Sequence, residues 1–287
     1  MARLRCRLRI LARVATKQFR YRRGPIWLSS MGSVSKEAVD PESRFTAVLS
    51  AAARMPGVRI NREAYLSQAL ARYCSDDQIR QAVEDSPAAA AIPLELLSKA
   101  ADDSIRWETG KVTTLSAAAG IPGGFAMIGT IPADITQYFA HVLRIAQKLA
   151  YLYSWPDLFT GDGDEPDDAT KGVLILFIGV MFGASAANAG LAKLAEQLSK
   201  QALKRLPQAA LTKGAIYPIV KTVAKYLGVR MTKQLFAGGV AKILPVLSGV
   251  TSGALTFATF LPMSLRLKKH LAGLELTRAE QPDDEAA

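Results

Sequence analysis

The sequence predicts an all-α fold, a multi-helix bundle, on three observations. Apolar residues recur three and four positions apart between helix-capping residues and prolines. No alternation of apolar and polar residues with hairpin turns, the pattern of β-strands, is present. Three long uncharged stretches carry pairs of glycines four residues apart, which leave a smooth strip on a helix face where another helix can lie closely. We expect these glycine-rich apolar helices to form the core of the bundle or a membrane-associating hairpin.

Charge divides the chain into three parts. The net charge is +11, but nine basic residues lie before residue 24 and no acidic residue precedes Glu37. We expect residues 1–40 to be a basic, disordered leader, residues 41–275 a helical domain and residues 276–287 an acidic, disordered tail. Without those nine residues the charge is nearly balanced, which argues against a nucleic-acid-binding protein. The leader also resembles a transit peptide or a lipid-binding segment, or translation begins at Met31.

Capping residues and breaks place the first four helices. Residues Ser43–Met55 have helical apolar spacing and end at a Pro-Gly pair. Asn61 is placed to cap a second helix, and Ser75 with Gln78 forms the capping-box pattern of a third. A fourth helix is predicted over Leu94–Lys111, and it leads directly into the first uncharged stretch.

The second half of the chain continues with longer helices. Asp134 opens an amphipathic helix, and the acidic loop Asp157–Asp168 favours the positive N-terminal end of the next helix. That next helix is predicted to continue without a break to Pro207. Two shorter helices, Ile216–Tyr226 and Thr232–Ala241, are predicted before the last uncharged stretch.

The three uncharged stretches are the sequence's main candidates for function. They lie between Lys111 and Asp134, between Lys171 and Lys193, and between Lys242 and Arg266. Each is long enough for a bilayer core, which needs about 20 residues. A buried core, conditional insertion and a permanent membrane span therefore remain open. The glycines expected to pack helices or associate with a membrane are Gly120, Gly123, Gly124, Gly129, Gly179, Gly183, Gly249 and Gly253.

One polar constellation lies on the amphipathic helix. Asp134, Tyr138 and His141 follow one another at steps of four and three. One hypothesis makes His141 a general base assisted by Asp134; the alternative is a helix side that faces water or lipid headgroups. The polar stripe of this helix consists of Tyr138, Arg144, Lys148 and Tyr151.

Signatures of cofactor and metal chemistry are missing from the sequence. No phosphate-binding loop, dinucleotide fingerprint or nucleophile elbow is complete. His141 and His270 are the only histidines, and the acidic loop lacks the ligand spacing of a calcium loop. Cys6 and Cys74 give no disulfide framework. We therefore expect no cofactor and no metal.

Three segments resemble the EcsC family. The first segment along the chain reads PGVRINREAYL. The second reads KVTTLSAAAGIPGGFAMIGTIPADITQY and leads into RIAQKLAYLYSWPDL, and the third reads AKILPVLSGVTSGAL. The resemblance covers about residues 45 to 270. In the last segment Ala254 stands where the family often has asparagine. The pattern positions are Gly120, Gly123, Gly124, Pro132, Asp134, Arg144, Tyr151, Pro245, Gly249 and Gly253.

The resemblance implies a helical, glycine-rich protein without an established activity, in a family named for a member encoded beside an ABC transporter involved in secretion. We accordingly expect a membrane-associated accessory or interaction protein, connected to transport or secretion. Its location would be cytoplasmic, peripheral to or inserted in the membrane. Its partners would be membrane lipid, a membrane protein or a second copy of the chain, and not nucleic acid. The alternative is a lipid-directed hydrolase that uses Asp134 and His141.

Overall fold

The computed structural model describes residues 40–119, 133–159, 165–201, 204–241 and 248–277, and only the backbone of 115–119, 133–134, 232–241 and 248–256. These residues form α-helices and a short 3₁₀ helix at Glu275–Thr277, without any strand. The all-α prediction is therefore confirmed. The helices are α1 (Pro41–Ala53), α2 (Arg62–Leu70), α3 (Asp76–Glu84), α4 (Leu94–Ala119), α5 (Ala133–Leu152), α6 (Asp168–Phe182), α7 (Ser185–Lys200), α8 (Gln208–Thr212), α9 (Tyr217–Ala241) and α10 (Ser248–Ala272).

The predicted helix caps are present. The Asn61 side chain accepts a hydrogen bond from the Ala64 N–H at 2.8 Å, at the start of α2. Ser75 and Gln78 bond each other's backbone N–H groups, which completes the capping box of α3. The acidic loop supplies the cap of α6, because the Asp167 carboxylate accepts from the Thr170 N–H at 2.7 Å. Local hydrogen-bonding chemistry thus fixes these three starts.

The prediction of one unbroken helix to Pro207 is wrong. Gly183 has a φ of 81°, a left-handed conformation that ends α6, and α7 begins two residues later. Side chains from other helices satisfy the carbonyls at this end. The Arg266 guanidinium donates to the Met181 carbonyl at 2.5 Å, and the Tyr226 hydroxyl donates to the Phe182 carbonyl at 3.3 Å. Tertiary contacts therefore stabilise a break within the uncharged stretch.

The two short helices predicted between Ile216 and Ala241 are one helix, α9. Gly228 lies inside it and does not end it. A Cβ atom at Gly228 would stand 2.0 Å from the Pro41 carbonyl oxygen, so the missing side chain lets α1 approach closely. Here the glycine serves close packing between helices.

Helix α6 lies in the centre of the core. All residues from Val173 to Phe182 are buried, and α5, α7, α9 and α10 pack around them. A Cβ atom at Gly179 would stand 2.4 Å from Val223 Cγ1 and 2.7 Å from Ala187 Cβ, so this glycine lets α9 and α7 pack closely. Among the described helices, none is both long and apolar enough to cross a membrane.

Candidate functional site

A buried carboxylate on α4 forms the centre of the site. The Glu108 side chain is 0 % exposed. It lies on the helix face that also carries Ala101, Ile105 and Val112, all of them buried. An ionised carboxylate in apolar surroundings is costly unless charged or hydrogen-bonding partners surround it.

Helix α5 supplies three such partners. The Glu108 Oε2 atom lies 3.1 Å from His141 Nδ1, and its Oε1 atom lies 3.2 Å from Arg144 Nε and 2.7 Å from Lys148 Nζ. Positions 141, 144 and 148 are three and four residues apart, so one face of α5 presents all three side chains to α4. We call these four residues the Glu108 cluster.

Two opposing effects set the ionisation of Glu108. Burial on its own would raise the pKa of this carboxyl group. The hydrogen bond from His141 and the charges of Lys148 and Arg144 outweigh it and lower the pKa to about 2. Burial also lowers the pKa of Lys148, although the charge of Glu108 and its hydrogen bond to Lys148 act in the opposite direction. Glu108 is therefore an anion at neutral pH.

Polar contacts beside the Glu108 cluster connect α2, and the loop before it, to α4 and α5. The hydroxyl groups of Tyr65 and Ser104 are 2.7 Å apart, and Lys148 Nζ lies 5.7 Å from the centre of the Tyr65 ring. Gln147 donates to the Val58 carbonyl and accepts from the Ile60 N–H, both at 2.9 Å. The cluster and its neighbours thus join α2, α4, α5 and the loop.

The predicted polar stripe does not form one site. Arg144 and Lys148 contact Glu108, whereas the Tyr138 ring packs on Phe260 of α10 and the Tyr151 hydroxyl donates to Asp157 at 3.0 Å. The alternative that this helix side faces water is wrong, because His141, Lys148 and Tyr151 are all buried. Glu108 explains why polar side chains of this stripe are buried rather than exposed, because its carboxylate compensates the cations among them inside the fold.

Most other predicted residues fall where side chains are not described. Asp134 is in the first turn of α5, where only the backbone is described, as are Gly249 and Gly253 in α10. Gly120, Gly123, Gly124 and Gly129 lie outside the described residues. Of the predicted catalytic pair, only His141 can therefore be placed.

The chemistry available to His141 is restricted. Its carboxylate partner orients the ring, as a general base requires. In the part of the chain that the structure describes, no hydroxyl or thiol group hydrogen-bonds to His141, and no group of three His, Cys, Asp or Glu is placed to hold a metal. A cavity of about 420 Å³ lies near Ser154 and Trp155, past the other end of α5, and no residue of the Glu108 cluster lines it. The cluster is above all an ion-pair network between helices.

Glu108 is the site residue that the sequence-based prediction missed. The signal was present, because positions 97, 101, 105, 108 and 112 share one helix face and only Glu108 among them is polar. A lone carboxylate in an apolar stripe calls for a cation on the facing helix. The spacing of His141, Arg144 and Lys148 matches that need.

Comparison with known protein families, with characterised proteins and with solved structures finds no match for this chain. The resemblance to the EcsC family therefore stays a prediction from the segments quoted above.

Proposed function

We propose that the protein is a membrane-associated accessory or interaction protein that contacts the bilayer with one end of its helix bundle. The observation that supports this proposal is the position of four helix ends. The C-terminal ends of α4 and α9 and the N-terminal ends of α5 and α10 all lie at the same end of the bundle. The sequence between α4 and α5 belongs to the first uncharged stretch, and the sequence between α9 and α10, after Lys242, belongs to the third.

Aromatic contacts mark the level at which α6 stops. The ring of Phe182, the last residue of α6, stacks on Phe139 of α5 with centroids 6.2 Å apart. The guanidinium of Arg230 on α9 lies 6.0 Å from the Phe182 ring centre. Tyr138, next to Phe139, meets Phe260 of α10 at 6.2 Å. Helices α5, α6, α9 and α10 therefore share this level.

Three helices continue past that level. Beyond Arg230, α9 runs on to Ala241, a further length of about 16 Å at 1.5 Å per residue. Helix α10 begins at Ser248, well before Phe260, and α5 begins at Ala133. All three extend beyond the end of α6.

Helix α4 runs in the opposite direction to α5. Glu108 lies beside Arg144, and the earlier residue Ser104 bonds Tyr65, whose ring lies under the later residue Lys148. The C-terminal end of α4 at Ala119 therefore points the same way as the start of α5. The described ends of α4 and α9 and the described starts of α5 and α10 therefore point to the same end of the bundle.

The composition at this end suits a lipid or membrane-protein partner. The sequence has no charged residue between Lys111 and Asp134 or between Lys242 and Arg266. Removing such segments from water is favourable, and glycines four apart allow close contact with a partner helix. A membrane protein or a second copy of the chain is the alternative partner. The connection to transport or secretion rests on the EcsC resemblance alone.

Membrane fractionation of the full-length chain tests the proposal. We expect the protein in the membrane fraction. Release by carbonate would indicate peripheral attachment, and retention until detergent is added would indicate insertion of the uncharged stretches. Recovery of the protein in the soluble fraction before any extraction would contradict the proposal.

Single-charge variants locate the contact. Met127→Glu and Leu247→Glu each place a carboxylate in one of the two uncharged stretches. We expect each to lower the membrane-bound fraction, because moving a carboxylate into a bilayer costs about 2.5–3.5 kcal/mol at its centre. Gln68→Glu, at an exposed position on α2, adds the same charge elsewhere and should leave the bound fraction unchanged.

A lipid-directed hydrolase is the second candidate, and the hydrogen bond between Glu108 and His141 favours it. We would measure release of fatty acid from phospholipid esters by the unmodified chain, His141→Gln and Gly124→Leu. An enzyme should lose activity in His141→Gln, whereas an interaction protein should lose membrane association in Gly124→Leu. Absence of hydrolysis by the unmodified chain would eliminate this candidate.

A further inference from the structure

Basic residues are concentrated in the last third of the chain as well as in the leader. Between Glu196 and Glu275 the sequence contains twelve Lys and Arg residues and no Asp or Glu. The acidic residues that balance them lie mainly before residue 169. The near-neutral total therefore conceals a strong separation of charge along the chain.

Helix α9 presents part of this excess on one exposed face. Its inner side, which includes Val220, Val223, Ala224 and Leu227, is buried. Its outer side is exposed at Tyr217, Pro218, Lys221, Thr222, Lys225, Tyr226, Val229 and Arg230. We call these eight residues the α9 outer face.

The cations at this surface lie apart from the carboxylates of the described part of the chain. Within the described residues, no carboxylate lies at ion-pair distance from Lys221, Lys225 or the nearby Lys213. Lys221 instead lies 5.3 Å from the Tyr217 ring centre, and Arg230 donates to the Tyr226 hydroxyl at 2.7 Å. A row of unbalanced positive charges is therefore available to an anionic surface.

Aromatic and apolar groups accompany these charges. Tyr217 is 37 % exposed, Tyr226 36 % and Val229 38 %. Tyrosine favours the region between headgroups and acyl chains, because its ring is apolar and its hydroxyl group remains hydrated. Lysine and arginine stems can lie along the same region with their charges at the phosphates.

We propose that the α9 outer face lies along the surface of an anionic phospholipid bilayer, so that the bundle rests on the bilayer along α9 as well as at the end where α9 terminates. This inference rests on the proposed membrane function and names its lipid partner. Lys213, Lys221, Lys225 and Arg230 would contact headgroup phosphates, while Tyr217 and Val229 enter the boundary beneath them. The exposed aliphatic Val229 favours a bilayer over a nucleic acid, because a nucleic acid binds through phosphates and through bases stacked on aromatic rings.

The direct test measures binding of the full-length chain to vesicles of phosphatidylcholine, with and without about one third phosphatidylglycerol. The variant carries Lys213→Gln, Lys221→Gln and Lys225→Gln. Since each basic residue near an anionic surface contributes roughly one kcal/mol, we expect a loss of about 100-fold in partitioning onto the anionic vesicles. Added salt should weaken binding of the unmodified chain.

A matched variant removes the same charge elsewhere. Arg72→Gln, Arg80→Gln and Lys99→Gln change exposed positions in the turn after α2, on α3 and on α4. This variant should lose much less affinity than the α9 variant. Equal losses in the two variants would overturn the inference, because net charge rather than a defined surface would then explain binding.

The outcomes also separate this inference from the proposed function. If the unmodified chain binds both vesicle types and the α9 variant binds equally well, the membrane function stands and the α9 surface is wrong. If the unmodified chain binds no vesicles, both fail. If the α9 variant loses affinity for a single-stranded RNA but not for vesicles, the surface belongs to a nucleic acid and the inference is overturned.

A crosslinking measurement avoids reliance on affinity. Benzoylphenylalanine in place of Thr222 should crosslink to lipid in anionic vesicles, whereas the same residue in place of the exposed Ser67 on α2 should not. Lipid adducts at Ser67 alone, or at neither position, would contradict binding through α9.

Discussion

The second uncharged stretch and the other two look alike in sequence but occupy different places in the molecule. All three lack charges and carry glycines four residues apart. The second forms α6 and the first half of α7, and neighbouring helices bury every residue of α6 from Val173 to Phe182. The first includes the end of α4 from Val112 to Ala119, and the third includes α10 as far as Leu265, with Phe260 and Ser264 buried. Under the proposed function, hydrophobicity and glycine spacing do not by themselves distinguish a core helix from a segment that contacts a partner.

What distinguishes α6 is its ending. Gly183 breaks the stretch, and Arg266 and Tyr226 satisfy the carbonyls that the break exposes. These partners come from α10 and α9, far away in the sequence. The break keeps α6 short enough to lie within the bundle.

The largest effect is expected at the base of the first stretch, where the Glu108 cluster joins α4 to α5. Glu108→Gln leaves the buried His141 and Lys148 and the partly buried Arg144 without their carboxylate, so we expect the free energy of unfolding to fall by about 3–5 kcal/mol. Urea unfolding measures the change. The control Glu95→Gln, exposed in the first turn of the same helix, should cost under about 1 kcal/mol. Similar losses in both variants would contradict the role assigned to the cluster.

Acid should weaken the same connection in a defined pH range. Because the folded state lowers the pKa of Glu108 to about 2, its contribution is complete above the ordinary value of about 4.3 and is lost as the pH falls toward 2. The free energy of unfolding of the unmodified chain should fall by about 3 kcal/mol from this group as the pH decreases through this range. Unfolding free energies measured across this range should show a smaller loss in Glu108→Gln. Equal slopes for the two proteins would refute the assignment.

Glycine-to-alanine changes compare the stretches directly. Gly179→Ala forces a methyl group against Val223 and Ala187 in the core, so we expect a loss of about 1–3 kcal/mol in unfolding free energy. Gly124→Ala, in the first stretch, should leave this quantity nearly unchanged. Gly110→Ala is the helical control, because nothing lies within 4 Å of the added atom, and it should stabilise by about 0.5–1 kcal/mol. A loss at Gly124 as large as that at Gly179 would place both stretches in the core.

The break itself has a smaller expected effect. Gly183→Ala places a side chain on a left-handed residue, which should cost about 1–2 kcal/mol. Thermal unfolding measures it. An unchanged melting temperature would show that the left-handed ending of α6 contributes little to stability.

Much of the fold follows from local sequence. Asn61, Ser75 with Gln78, and the acidic loop mark helix starts through hydrogen bonds within a few residues. The errors came from long-range contacts. Arg266 stabilises the break at Gly183, and the close approach of Pro41 explains why a glycine stands inside α9 at position 228.

The site was predictable only on one of its two helices. The spacing of His141, Arg144 and Lys148 was visible in the sequence. It did not show whether this side of α5 faces solvent or the interior, because a polar stripe suits both water and a buried counter-charge. Glu108 decides between them, and pairing two helices requires their packing as well as their separate patterns. Position 108 in the apolar stripe of α4 was the available signal.

Hydrogen exchange with and without anionic vesicles tests the central contrast most directly. Peptides from residues 112–133 and 243–256 should exchange more slowly when vesicles are present. Peptides from Val173 to Phe182 should be protected already and should not change. A vesicle-dependent change confined to α6, or unchanged exchange in all three stretches, would contradict the account.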